Sequence, residues 1–169
     1  LLDSHFPRAG QGVLVARGDD AAVIACPSRL CVTTDLFVED VHFRRSYFSP
    51  AEIGAKALAV NVSDVAAMGG VPAGFVLALT CPEDADRDYW DGLFAGMAAL
   101  AARYDLPLTG GDLSKGDKIA LSVTIWGAPG PSGRLLTRGT GAPGDVLVVV
   151  GELGLARVGL AVLEKDGPA

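Results

Sequence analysis

Five aspartates stand where structural elements are expected to begin or end: Asp19, Asp20, Asp35, Asp64 and Asp112. Carboxylates and hydroxyls are hard oxygen ligands, suited to Mg²⁺ rather than to zinc or copper. Thr33 and Thr34 precede Asp35 and can add hydroxyl or carbonyl oxygens. Asp64 interrupts a nearly all-apolar stretch, and a buried carboxylate needs a partner or a metal. Taken singly, each aspartate also suits a cap or a turn, where Asp is favoured for local reasons. Only their convergence would make a metal site.

Other chemistries lack their parts. No Gly-x-x-x-x-Gly-Lys-Ser/Thr string occurs, which excludes a P-loop. Gly139 to Gly144 spells Gly-x-Gly-x-x-Gly, but Pro143 sits inside it. The string also precedes an expected strand instead of joining a strand to a helix, so it is not read as a dinucleotide fingerprint. With only His5 and His42, neither a His-rich metal site nor a serine-protease triad can be built readily. Cys26, Cys31 and Cys81 have no motif spacing and read as small buried hydrophobes in a reducing cytosol. The net charge is −6 and basic residues are scattered, so no nucleic-acid footprint is present. An acidic protein that handles anions needs metal ions or local basic residues to attract them. Apolar runs such as Val146 to Val150 are too short to span a bilayer, and no secretory signal is visible. A cytoplasmic protein is expected.

The elements that would position the aspartates follow from pattern. Half of the 169 residues are hydrophobic and a fifth are charged, an ordinary globular composition. Ala21 to Cys26 and Leu30 to Thr34 read as two strands joined at Pro27-Ser28-Arg29, with Asp35 just after the second. Ser49-Pro50-Ala51-Glu52 starts a helix with a capping box and Pro at its first position; it should end near Met68 at Gly69-Gly70. Lys56, Ser63 and Asp64 are its polar exceptions and share a sector about 100° wide. A buried strand over Gly74 to Cys81 follows, then a helix from Asp86 to Tyr104. The apolar stripe of that helix is Trp90, Leu93, Phe94, Met97, Leu100 and Tyr104. Leu106 to Leu108 leads into Thr109-Gly110-Gly111-Asp112. Lys118 to Trp126 then alternates, with Ile119, Leu121, Val123 and Ile125 on one face.

The order ββαβαβ predicts an α+β fold: a mixed or antiparallel sheet with helices on one face. The uncovered face must be hidden, and a homodimer joining two sheets would hide it. Residues 1–128 form the expected first domain, and the Gly/Pro-rich 129–145 a linker. Val146 to Val150, as a strand, and Gly154 to Lys165, as a helix, would open a second α/β domain over 146–169. A fragment is therefore expected, the more so as Leu1 is not an initiator methionine.

Four strings occur in order: Gly18-Asp19-Asp20-Ala21; Thr33 through Phe43 (TTDLFVEDVHF); Lys56 through Gly69 (KALAVNVSDVAAMG); and Gly110-Gly111-Asp112. Gly133-Arg134, Arg138 and Pro143-Gly144-Asp145 continue the pattern. Together they resemble the consecutive motifs of thiamine-monophosphate kinases, within the superfamily of aminoimidazole ribonucleotide synthetase, selenophosphate synthetase and a hydrogenase-maturation enzyme. The resemblance implies an ATP- and Mg²⁺-dependent, homodimeric kinase that converts thiamine monophosphate to thiamine diphosphate by direct in-line transfer. It implies Asp20, Thr33, Thr34, Asp35, Asp64 and Asp112 as Mg²⁺ ligands, with Asp35, Asp64 and Asp112 catalytic. It places Gly111, Asp112, Arg138 and Phe94 at the nucleotide and His42 at the thiamine phosphate.

Several positions carry a second reading. Asp19 competes with Asp20 as ligand, Phe94 lies on the core stripe of its own helix, and His42 and Arg138 could simply be solvated. The chain departs from the pattern at Ala16-Arg17, where Gly-Ile is usual. It departs again at Gly154-Leu155-Ala156, which lacks the Asp-Ser often found after that Gly. Two rival functions remain: a selenophosphate synthetase-like enzyme, which would need a reactive Cys or Sec near the N-terminus, and a non-catalytic dimerisation or binding domain.

Overall fold

The computed structural model describes residues 1–8 and 10–167; the last two positions of the expected second domain lie outside the described residues. The elements run α1 (Leu2–His5), β1 (Val13–Val15), β2 (Val23–Ile24), β3 (Cys31–Val38), α2 (Pro50–Ala67), β4 (Gly70–Cys81), α3 (Arg87–Arg103), β5 (Leu108–Lys115), β6 (Ala120–Pro129) and α4 (Leu155–Asp166). Four strands form one mixed sheet in the order β3-β6-β4-β5. The alternation read over 118–126 sets its centre. Ile119, Leu121, Val123 and Ile125 are all buried, while Ser122, Thr124 and Trp126 turn to the other face. β6 runs antiparallel to β3 and β4, and β5 runs parallel to β4. The parallel pair follows from its connection, since α3 carries the chain back across the sheet.

α2 starts at the expected capping box: Ser49 Oγ accepts the Glu52 N–H, and the Glu52 carboxylate accepts the Ser49 N–H. It lies across β3, β6 and β4, and α3 packs beside it. Leu93, Phe94 and Met97 of α3 join Ile53, Leu58, Phe75 and Leu121 in one core. The helices touch through glycine: a Cβ on Gly54 would lie 1.9 Å from the Leu93 carbonyl oxygen, and one on Gly96 2.0 Å from that of Ala51. Among the described residues no helix covers the opposite sheet face, which is partly apolar, with Val32 59% and Leu36 57% exposed. No helix among the described residues is long and apolar enough to cross a membrane.

The elements differ from expectation in several places. The strand over Ala21 to Cys26 shortens to Val23–Ile24 and pairs with β1 in a separate two-stranded ribbon, not with β3. β3 continues to Val38, so Asp35 lies within the strand instead of after it. β5 begins at Leu108 and contains Asp112. Val146 to Val150 forms no strand; among the described residues no neighbour pairs with it, and its side chains are 61–99% exposed. A strand needs a partner for its backbone groups, which apolar composition alone does not supply. The helix read over 154–165 is present as α4.

Candidate nucleotide and metal site

The sequence-selected residues gather at two opposite edges of the sheet. At the first edge, β3 and α2 meet along a polar seam. Thr33 and Asp35 sit in register with Ile125 and Val123, so they face the helices, whereas Thr34 pairs with Thr124 on the open face. Thr34 Oγ1 donates to the Val123 carbonyl at 3.1 Å. Asn61 of α2 is fully buried; its Oδ1 accepts the Asp35 N–H at 3.0 Å, and its Nδ2 donates to the Ala57 carbonyl at 3.0 Å. β3 is an edge strand, so an outward N–H needs such a partner. Three residues on, Asp64 accepts from Thr33 Oγ1 at 3.0 Å. Asp64 itself is exposed, not buried: the carboxylate projects from the seam, and Asn61 is the buried polar residue of the helix. Sequence reasoning passed over Asn61, although an amide one turn before Asp64 in an apolar helix was the available signal.

His42 lies at the same edge, just beyond β3. Its Nδ1 accepts the Val38 N–H at 3.1 Å, which leaves the proton of the neutral ring on Nε2. The ring stacks on Phe37 at 5.6 Å between centroids. Lys56 Nζ sits 4.8 Å from the Phe48 ring centroid and 5.7 Å from that of Phe37. Buried Glu39 fixes the loop: it accepts the Ile119 N–H at 3.0 Å and Arg45 Nε at 2.6 Å. Arg138 is exposed two residues past Leu136, whose N–H donates to the Met68 carbonyl at 2.8 Å, near the Asp64 end of α2.

At the second edge, β5 presents Gly110, Gly111 and Asp112 to a cleft of about 780 Å³, walled opposite by Gly18, Asp19 and Asp20. That volume suits a nucleotide-sized ligand. Asp19 Oδ1 accepts the Asp20 N–H at 2.9 Å, so Asp19 is engaged in its own turn and Asp20 has the freer carboxylate. Asp112 Oδ2 accepts from Ser114 Oγ at 2.8 Å. Gly111 has φ +150°, and a Cβ there would lie 1.8 Å from the Leu77 carbonyl oxygen, so only glycine fits. Phe94 touches the cleft but is 2% exposed, and its ring belongs to the core.

Asp20 and Asp112 therefore share one cleft, and Asp35 and Asp64 one seam. Two strands separate the edges, so their backbones stand about 14 Å apart. Among the described residues no three His, Cys, Asp or Glu side chains converge on a single metal position. The donor set still fits Mg²⁺ at each edge: carboxylates with neighbouring hydroxyls, all of oxygen.

The mixed β3-β6-β4-β5 sheet, with an acid-lined, glycine-edged cleft at one edge, defines the class as an α+β domain. Residues 18–128 match the family described as AIR synthase related protein, N-terminal domain, and the chain belongs to that family. Among its relatives, thiamine-monophosphate kinase of Synechococcus elongatus is 42% identical over 149 residues, 87% of this chain and 45% of the relative. The crystal structure of thiamine-monophosphate kinase from Stenotrophomonas maltophilia superposes with a TM-score of 0.82 at 39% identity, over 93% of this chain and 49% of that one. The structure of AaThiL complexed with AMPPCP and TMP gives 0.75 at 37% identity, over 89% of this chain and 48% of that one. The chain spans about half the length of the relatives it matches.

Proposed function

We propose that the protein to which this chain belongs transfers the γ-phosphoryl group of ATP to thiamine monophosphate, forming thiamine diphosphate, in the cytoplasm. The observation that carries this reading is the likeness, over 89% of the chain, to a structure complexed with AMPPCP, an ATP analogue, and TMP. The chain's own geometry is compatible with two anionic substrates, because it divides its carboxylates between two edges. The cleft beside β5 takes the nucleotide, with Gly110 and Gly111 on its wall; Arg138 lies outside that cleft, beyond the Asp64 end of α2, where its guanidinium fork can meet phosphate at the other edge. The β3–α2 seam takes the acceptor phosphate, with the His42 Nε2–H as donor.

Asp20, Thr33, Asp35, Asp64 and Asp112 would hold Mg²⁺; the Thr34 hydroxyl, on the open face and bonded to the Val123 carbonyl, stands apart from them. When bound, the ions neutralise phosphate charge and bring two negative reactants together. The acceptor is already an anion, so no strong general base is needed and transfer is direct. Asp35, Asp64 and Asp112 are the residues on which rate depends most. A second copy covers the open sheet face that carries Val32 and Leu36, giving a homodimer.

The test uses the complete gene product with ATP, Mg²⁺ and thiamine monophosphate, and free thiamine as a control acceptor. Chromatography should show metal-dependent thiamine diphosphate only from the monophosphate. ATP binding without product would indicate another acceptor, and no ATP binding would indicate a non-catalytic domain.

A further inference from the structure

The residue just before the Gly18-Asp19-Asp20 loop is tied to two separate stretches of chain. Arg17 has a side chain only 11% exposed, although it carries a fixed positive charge. Its Nη1 donates to the carbonyls of Pro7 at 3.2 Å and Leu108 at 2.9 Å. Its Nη2 donates to the carbonyl of Phe6 and, at 2.8 Å, to Asp3 Oδ1, which also accepts Nε at 3.2 Å. Arg8 forms a second ion pair with Asp3 at 2.7 Å. It also closes over Gly18, where a Cβ would lie 3.2 Å from its Nη1. Leu108 is the first residue of β5, three before Gly111.

We propose that Arg17 is a positioning residue for the nucleotide cleft: its guanidinium clamps the N-terminal segment and the start of β5 to the loop that bears Asp20. The clamp sets the spacing between Asp20 on one wall and Gly111-Asp112 on the other, without itself touching reacting atoms. A planar five-donor fork can make all five hydrogen bonds to the two stretches at once; a three-donor ammonium cannot. The inference rests on the reading of this cleft as the ATP site.

The complete protein is tested as Arg17→Met, which keeps an unbranched stem of similar reach but removes the fork, and as Arg17→Lys, which keeps the charge. Binding of AMPPCP with Mg²⁺ is titrated at equilibrium, and KM for ATP and for thiamine monophosphate is measured apart from kcat. Expected is an approximately tenfold or larger weakening for ATP and AMPPCP in both variants, with the acceptor KM unchanged. A purely structural role would lower Tm or kcat and leave the ATP KM alone. Should Arg17→Met fail to fold, Arg17→Lys decides. Unaltered nucleotide binding in Arg17→Lys overturns the inference, while loss of binding in Asp112→Asn would still support the cleft. Equal binding by wild type and Asp112→Asn, or none by wild type, overturns the cleft reading and the inference with it.

Discussion

Asp35 and Asp112 are held differently, and that makes them separable probes. The Asp35 backbone is fixed by Asn61 and leaves its carboxylate half-buried on the seam; Asp112 lies exposed on an edge strand with Ser114 as its neighbour. Asp→Asn at either position keeps shape and removes charge. Each substitution should abolish phosphoryl transfer, by a factor of roughly 10³ or more, with circular dichroism unchanged. Near-normal rates in both would sink the ligand assignment. Asp3 supports a pH prediction. Hydrogen bonds from Arg8 and then Arg17 hold its carboxyl at about 2, below the ordinary 3.8. A depressed carboxyl stabilises the fold above its unfolded value and loses that contribution as pH falls through its folded value. Docking of the N-terminal segment should therefore weaken between about pH 4 and pH 2, and Asp3→Asn should remove that dependence. Limited proteolysis of residues 1–10 across this range would check it.

Elements whose signals are local were legible; those set by distant pairing were not. The capping box at Ser49, the Asp86-capped α3 and the alternation of β6 can each be read from a few adjacent residues. The β1–β2 ribbon could not, because strands of three and two residues carry no period and their pairing arises from the fold around them. The site shows the same division. The aspartates were visible as residue types, but their partition between two edges follows from the strand order. The exposure of Asp64 follows from α2 burying Asn61 in its place. Close contact of α2 with α3 was also hidden, since Gly54 and Gly96 look like mere helix weaknesses in sequence. With Cβ clearances near 2 Å, Gly96→Ala should force the helices apart. A loss of about 1–3 kcal/mol in denaturant unfolding is expected; wild-type stability would mean the helices can shift freely.

Among the described residues one broad sheet face carries no helix, and the exposed apolar side chains on β3 lie at its edge. A charged group there should oppose the association of two copies at little cost to the monomer's own core. Leu36→Asp is expected to shift a sedimentation profile from dimer to monomer while the melting curve of the monomer stays cooperative. An unchanged profile would place any association elsewhere.

Strand order also sets a timetable. β3 pairs with β6 alone, and even its nearest paired residues, Val38 and Ala120, are 82 positions apart. By contrast, Phe75 and Leu108 in the β4–β5 pair are separated by 33. A chain leaving the ribosome can therefore assemble β4, α3 and β5 around α2 while β3 still waits. Until β6 emerges, the strand bearing Thr33 and Asp35 offers both its edges to solvent, to a chaperone or to a neighbouring chain. The acceptor edge of the proposed site is thus the last part of the sheet to be built, completed in the same step that closes the sheet.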